Sequence, residues 1–135
     1  MPEQKRQAVV AEDEPHFLQP YKMYLEDLGF DVKAVMDKEG LMEAAPHAQL
    51  LVVDVCLPNA EKMEGLECVA ELIKDSRIKS RVPIIFISGY REDSPMVKKK
   101  LSAHSVLKER YRWVWKDDEV EVLGDAIDAE FNRLK

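Results

Sequence analysis

The sequence predicts an α/β fold: a five-stranded parallel sheet, doubly wound, with the βα unit repeated five times across residues 1–135. Three observations predict it. Short apolar runs alternate with segments of helical period along the chain. The runs are almost continuously apolar, as in LLVV and PIIFIS, which is the pattern of strands buried on both faces. Residues suited to chemistry rather than packing follow four of the five runs, at the edge where open α/β sheets bind their ligands.

Taken in order, AVVA (Ala8 to Ala11) is the first predicted strand. From Pro15 to Leu28, apolar residues at Phe17, Leu18, Tyr21, Tyr24, Leu25 and Leu28 recur at intervals of three and four, giving an amphipathic helix with Gly29 at its C-cap. Pro20 inside that helix removes a hydrogen bond and favours a kink. VKAV (Val32 to Val35) is a second, weaker strand, and Asp37 can cap a short helix reaching about Ala45, before Pro46. LLVV, starting at Leu50, is the third strand. Leu66, Val69, Ala70, Leu72 and Ile73 mark the next helical face. PIIFIS (Pro83 to Ser88) is the fourth strand, and Ser94-Pro95 pairs a cap with a proline at the first helical position. SVL (Ser105 to Leu107) is read as the fifth strand, and Val120 to Leu134 as the last helix.

Composition limits the function. At 46% hydrophobic and 34% charged residues, the chain reads as a single globular domain with a real core. A net charge of −6 argues against direct nucleic-acid binding, which calls for an excess of positive charge. No apolar run reaches membrane-spanning length and MPEQKRQAVV has no signal-peptide core, so a cytoplasmic protein without membrane contact is expected. Cys56 and Cys68 have no metal-ligand spacing and read as reduced residues; His16, His47 and His104 have none either.

The residues at the strand ends fit one chemistry. Glu12 and Asp13 follow the first strand, Asp54 ends the third, Ser88 the fourth, and Lys108 follows the fifth. Three carboxylates at one edge repel each other, and a hard divalent cation relieves the repulsion, with oxygen-only ligands favouring Mg²⁺. Asp54 can then act as a nucleophile, while a serine hydroxyl and a lysine ammonium suit the oxygens of a transferred phosphoryl group.

In their order along the chain, VVAEDEP, LLVVDVCLP, PIIFISG and SVLK resemble the receiver domain of two-component response regulators, and EDEPHFLQPYKMYLEDLGFDV is similar to that family's first βαβ segment. The resemblance implies a flavodoxin-like fold and a phosphoacceptor at Asp54, served by a sensor histidine kinase or phosphotransfer protein. It implies that Asp13 and Asp54 bind Mg²⁺ directly, Glu12 through water, and Cys56 through its backbone carbonyl. Ser88 would hydrogen-bond the phosphoryl oxygens and Lys108 would pair with them. The output would be a protein-interaction surface for a downstream protein, with a homodimer as one use of the same face. Such a protein promotes only its own phosphorylation and dephosphorylation.

Against that pattern, six residues separate Pro58 from Gly65 where the family usually has three, which is read either as a tolerated surface insertion or as a specificity loop. Glu109 follows Lys108 where the family usually has proline, and Ser105 stands where many receivers carry a switching aromatic. In ERYRWVWKDD (Glu109 to Asp118), Tyr111, Trp113 and Trp115 alternate with other residues at strand-like spacing; they either cover the sheet edge or form a partner surface. Tyr90, two past Ser88, is read either as limiting water access to the phosphoryl group or as a plain surface aromatic. These departures keep open a second function, a receiver-like interaction module that works without phosphorylation. An aspartyl phosphatase of the haloacid dehalogenase type fits less well, because Cys56 stands where it needs a second Asp.

Overall fold

The computed structural model describes residues 6–57 and 63–134. Its strands are β1 (Gln7–Ala11), β2 (Asp31–Val35), β3 (Leu50–Asp54), β4 (Ile84–Ser88) and β5 (Arg112–Trp115). The helices are α1 (Pro15–Asp27), α2 (Lys38–Ala44), α3 (Glu64–Lys74), α4 (Pro95–Ala103) and α5 (Val120–Arg133). The strands form one parallel sheet in the order β2-β1-β3-β4-β5. The doubly wound sheet expected from the alternating pattern is the observed one.

Period-two alternation divides the core. Val9, Ala11, Leu51, Val53, Ile84 and Phe86 pack with Leu41, Leu66, Val69 and Val97 from α2, α3 and α4. Ala8, Val10, Leu50, Val52, Ile85, Ile87 and Val114 pack on the other face with Leu18, Leu25, Leu123 and Ile127 from α1 and α5. Every residue of β3 and β4 is buried, and each such aliphatic side chain contributes about 1.5–3 kcal/mol. The central strands are therefore the ones whose sequence is most plainly apolar. Their carboxyl ends lie beside the β1/β3 junction, where the strand order reverses.

Several local expectations hold. Asp37 Oδ1 accepts the Gly40 N–H at 2.7 Å, capping α2. Gly29, at φ +99°, closes α1, with its N–H bonded to Glu26 O and the Phe30 N–H to Leu25 O. The helix continues through Pro20. Ser94 does occupy the N-cap of α4, but its hydroxyl makes no capping bond and is buried without a partner.

The fifth strand is not where SVL suggested. Ser105–Leu107 forms a single 3₁₀ turn after α4, in which only Leu107 is buried. The chain then turns through Glu109, at φ +62°, and enters β5 at Arg112, within the aromatic segment. SVL offers one core side chain in three residues. RWVW sends Val114 to one face and Trp113 against the other, as a strand bordering a sheet must. On its outer side β5 is tied to α5 through buried Glu130. That carboxylate accepts Arg112 Nε at 3.2 Å, and Arg133 Nε and Nη2 at 3.1 and 2.6 Å. Burial alone would raise its pKa, but the two guanidinium groups outweigh that and hold it below the ordinary 4.5.

Candidate phosphoacceptor site

The β1/β3 junction gathers charge. Glu12 and Asp13 follow β1, and Asp54 is the last residue of β3. One carboxylate oxygen from each lies within 4.8 Å of the others. Glu12 is fully buried and Asp54 nearly so, while Asp13 is half-buried. Two backbone N–H groups orient the buried pair: Glu14 donates to Glu12 Oε1 at 3.1 Å and Cys56 to Asp54 Oδ1, also at 3.1 Å.

Asp54 is also held from behind. The first N–H groups of α3, from Gly65 and Leu66, both donate to Val55 O, at 3.1 and 3.3 Å. A Cβ on Gly65 would stand 1.9 Å from the Asp54 carbonyl oxygen, so only glycine permits this approach. Val55 N–H in turn donates to Ile87 O at 2.9 Å, joining the turn after Asp54 to β4.

The cation at the site is Lys116, not Lys108. Lys108 follows the 3₁₀ turn and is exposed, among Leu101, Ser105 and Tyr111. Lys116 follows β5, and its Nζ lies 2.8 Å from Glu12 Oε2 and 3.2 Å from Asp54 Oδ2. It stands 4.4 Å from the Phe17 ring centroid, a cation–π contact that covers it from the α1 side. The backbone N–H of Lys116 donates to Ser88 O at 2.7 Å, so sheet pairing itself sets the lysine beside the β4 terminus. Asp117 follows it, so the residue after the lysine is not proline here either.

Ser88 is fully buried, and its Oγ accepts the Tyr90 N–H at 2.9 Å. The aromatic place expected at Ser105 is filled by Trp113, three residues before Lys116 on β5. Tyr90 is exposed at the mouth of this region. Pro58 and the lengthened stretch after it fall largely outside the described residues.

Charge is strongly coupled here. Burial, and after it the Asp54 charge, push the Glu12 carboxyl up to about 8, with Lys116 pulling part of the way back. Burial works against the Lys116 charge, yet Glu12 and Asp54 hold its pKa above 10.5. Lys116 Nζ sits at ion-pair distance from the buried Glu12 Oε2. Three carboxylates with oxygens this close together, balanced by a single ammonium, make an oxygen donor set that fits a hard divalent cation. Burial, then the Asp54 charge, raises the Cys56 thiol to about 11, so it stays protonated and takes no part as a thiolate. A cavity of about 590 Å³ beside β2, lined by Lys33, Asp37, Glu43 and His47, contains none of these groups.

Comparisons with known proteins agree with this geometry. The response regulator receiver domain family matches residues 8–108, ending before β5 and α5. Solved structures extend the likeness over nearly the whole chain. A CheY-like receiver domain protein from Methanospirillum hungatei JF-1 superposes with a TM-score of 0.76 at 18% identity, covering 97% of each chain. Vibrio cholerae chemotaxis protein CheY4 gives 0.75 at 21% identity, covering 93% of this chain and 98% of its own. The Francisella response regulator 1452 receiver domain gives 0.74 at 20% identity, covering 97% of this chain and 100% of its own. No curated protein matches the sequence. Among the described residues no helix is long and apolar enough to cross a membrane. With three carboxylates at the β1/β3 junction, a lysine behind β5 and a family match over residues 8–108, the chain belongs to the response regulator receiver domains.

Proposed function

We propose that this receiver takes a phosphoryl group onto Asp54 from a histidine kinase or phosphotransfer protein and passes the change to a downstream protein. The observation that carries this reading is the Glu12–Asp13–Asp54 cluster with Lys116 lodged against two of its members. An unphosphorylated scaffold gains nothing from burying acids together, since each raises the cost of ionising the next.

Asp13 and Asp54 would hold Mg²⁺ directly, with Glu12 behind them and the Cys56 carbonyl as a further ligand. Bound there, the ion neutralises charge on the carboxylates and on the incoming phosphoryl oxygens. An Asp54 oxygen forms the new bond to phosphorus while the donor's bond to phosphorus breaks, leaving the donor imidazole with the electron pair. The Cys56 N–H keeps the carboxylate oriented throughout. Lys116, already 3.2 Å from Asp54 Oδ2, pairs with a phosphoryl oxygen in the role first expected of Lys108. Ser88 uses a lone pair on the Tyr90 N–H, so its hydroxyl proton remains free for another phosphoryl oxygen. An added charge of about −1.5 to −2 is enough to bias a two-state surface.

The alternative, a module independent of phosphorylation, rested on the missing Lys-Pro pair, the absent aromatic at Ser105 and the lengthened stretch after Pro58. Trp113 on β5 and Lys116 just after it support the phosphoacceptor reading, although Asp117 rather than proline follows the lysine. The test is intact mass after incubation with acetyl phosphate, with and without Mg²⁺. A gain of one phosphoryl group that needs Mg²⁺ and disappears in Asp54→Asn is expected. Full labelling of that variant would show the acceptor to be another residue, and no labelling of wild type, even as a beryllofluoride adduct, would favour the alternative.

A further inference from the structure

β5 and the residue just before it carry three side-chain donors on alternate residues, all directed at the loop after β4. Trp115 Nε1 donates to Gly89 O at 3.2 Å, Trp113 Nε1 to Tyr90 O at 3.0 Å, and Tyr111 OH to Glu92 Oε2 at 2.7 Å. The Arg91 guanidinium lies 4.4 Å from the Trp115 ring centroid, closing the loop back onto the strand. Trp115 is also the register partner of Ser88 in the sheet.

The first of these bonds bears on the site. Gly89 O and Tyr90 N–H belong to one peptide group, which is planar and trans, so fixing the direction of the oxygen fixes that of the hydrogen. Trp115 holds the oxygen of this group, and its N–H is the donor to Ser88 Oγ at 2.9 Å. The indole, the peptide and the serine hydroxyl form one chain of hydrogen bonds, each polarising the next. Rotating the peptide breaks both ends together.

We propose that Trp115 is a positioning residue for Ser88: its indole N–H sets the peptide that engages the Ser88 lone pair and so leaves the hydroxyl proton directed to an acceptor at Asp54. The inference rests on the reading that Ser88 meets a phosphoryl oxygen. Trp113 holds the following peptide, whose N–H is that of Arg91, and so steadies the loop without touching the serine. Burial of Ser88 leaves its hydroxyl few other partners, which makes the choice of this one consequential.

The test compares wild type, Trp115→Phe and Arg91→Ala. Phenylalanine keeps an aromatic ring beneath Arg91 but removes the indole N–H together with one of its two rings; the Arg91 change lies on the surface and leaves both the indole and the core intact. Amide hydrogen exchange is read at Tyr90 and, as controls, at Val52 and Ile85 in the central strands. Binding of beryllofluoride and of Mg²⁺ alone is measured on the same samples. Loss of one such bond is expected to speed Tyr90 exchange and weaken beryllofluoride about 3- to 10-fold in Trp115→Phe, with Val52, Ile85 and Mg²⁺ affinity unchanged. Arg91→Ala should move Tyr90 in the same direction by less. Tyr90 protection that is unchanged in both variants, or that falls by the same factor as at Val52 and Ile85, overturns the proposal. If wild type binds no beryllofluoride, the phosphoacceptor reading fails, and the Tyr90 comparison alone decides whether Trp115 positions the serine peptide.

Discussion

Lys116 brings its charge to a point where burial penalises it and two carboxylates compensate, so its removal strips both acids of their cation. Lys116→Ala should still accept some phosphoryl group, because the nucleophile and its orienting N–H remain, but should no longer transmit the change. The protein has only two tryptophans, Trp113 and Trp115, and both flank the site on β5, so intrinsic emission reports that transmission. Lys116→Ala is expected to lose the emission response to beryllofluoride, whereas Lys108→Ala should respond as wild type does. The opposite result would return the role to Lys108. The Glu12–Asp13–Asp54 cluster was legible in the sequence because the first two follow an apolar run and the third ends one. Lys116 was not, since the strand before it carries two indoles, a guanidinium and only one buried aliphatic residue. The alternation of Tyr111, Trp113 and Trp115 was the available signal, and it was outweighed by the more ordinary-looking SVLK.

At the scale of elements, β5 borders the sheet and depends on its neighbours for definition. Glu130 of α5 ties it down through Arg112, with Arg133 as second partner. Because the folded carboxyl titrates below its ordinary 4.5, its contribution is present above that value and is lost as pH falls through the folded pKa. Glu130→Gln is expected to lower stability by about 1–3 kcal/mol at pH 7, a range set by charged hydrogen bonds to half-exposed arginines. Urea titrations of variant and wild type should converge as pH drops below 4.5. A gap that stays constant with pH would mean that packing, not charge, accounts for the loss. The helices were readable because period and caps agree, as at Asp37 and Gly29. At Ser94 the cap residue is in place, yet its hydroxyl makes no capping bond, a side-chain choice that no sequence pattern encodes.

For the molecule as a whole, the acidic cluster is a local excess of charge within a chain already at −6. A cation that binds only the folded site adds to its stability by mass action. Mg²⁺ at a hundred times its dissociation constant should raise unfolding free energy by about 2.7 kcal/mol. Asp13→Asn should lose most of that gain at the same Mg²⁺ concentration while melting close to wild type without it, because Asp13 is the least buried of the three acids. A wild-type melting curve indifferent to Mg²⁺ would sink the metal assignment. The overall architecture was the most legible feature, since β3 and β4 are buried along their full length and their apolar runs have no other plausible home. Strand order follows less directly: it depends on which runs are apolar on both faces and which on one, and β5 shows how an edge strand escapes notice.

The two hydrogen bonds from Gly65 and Leu66 to Val55 O have a consequence for how α3 and the acceptor's turn move. Those contacts pin the acceptor's turn to the start of α3 by main-chain atoms alone, and the Gly65 backbone rests directly against that of Asp54. A shift of α3 is thereby carried directly to the acceptor's own main chain, with no side chain between to absorb it.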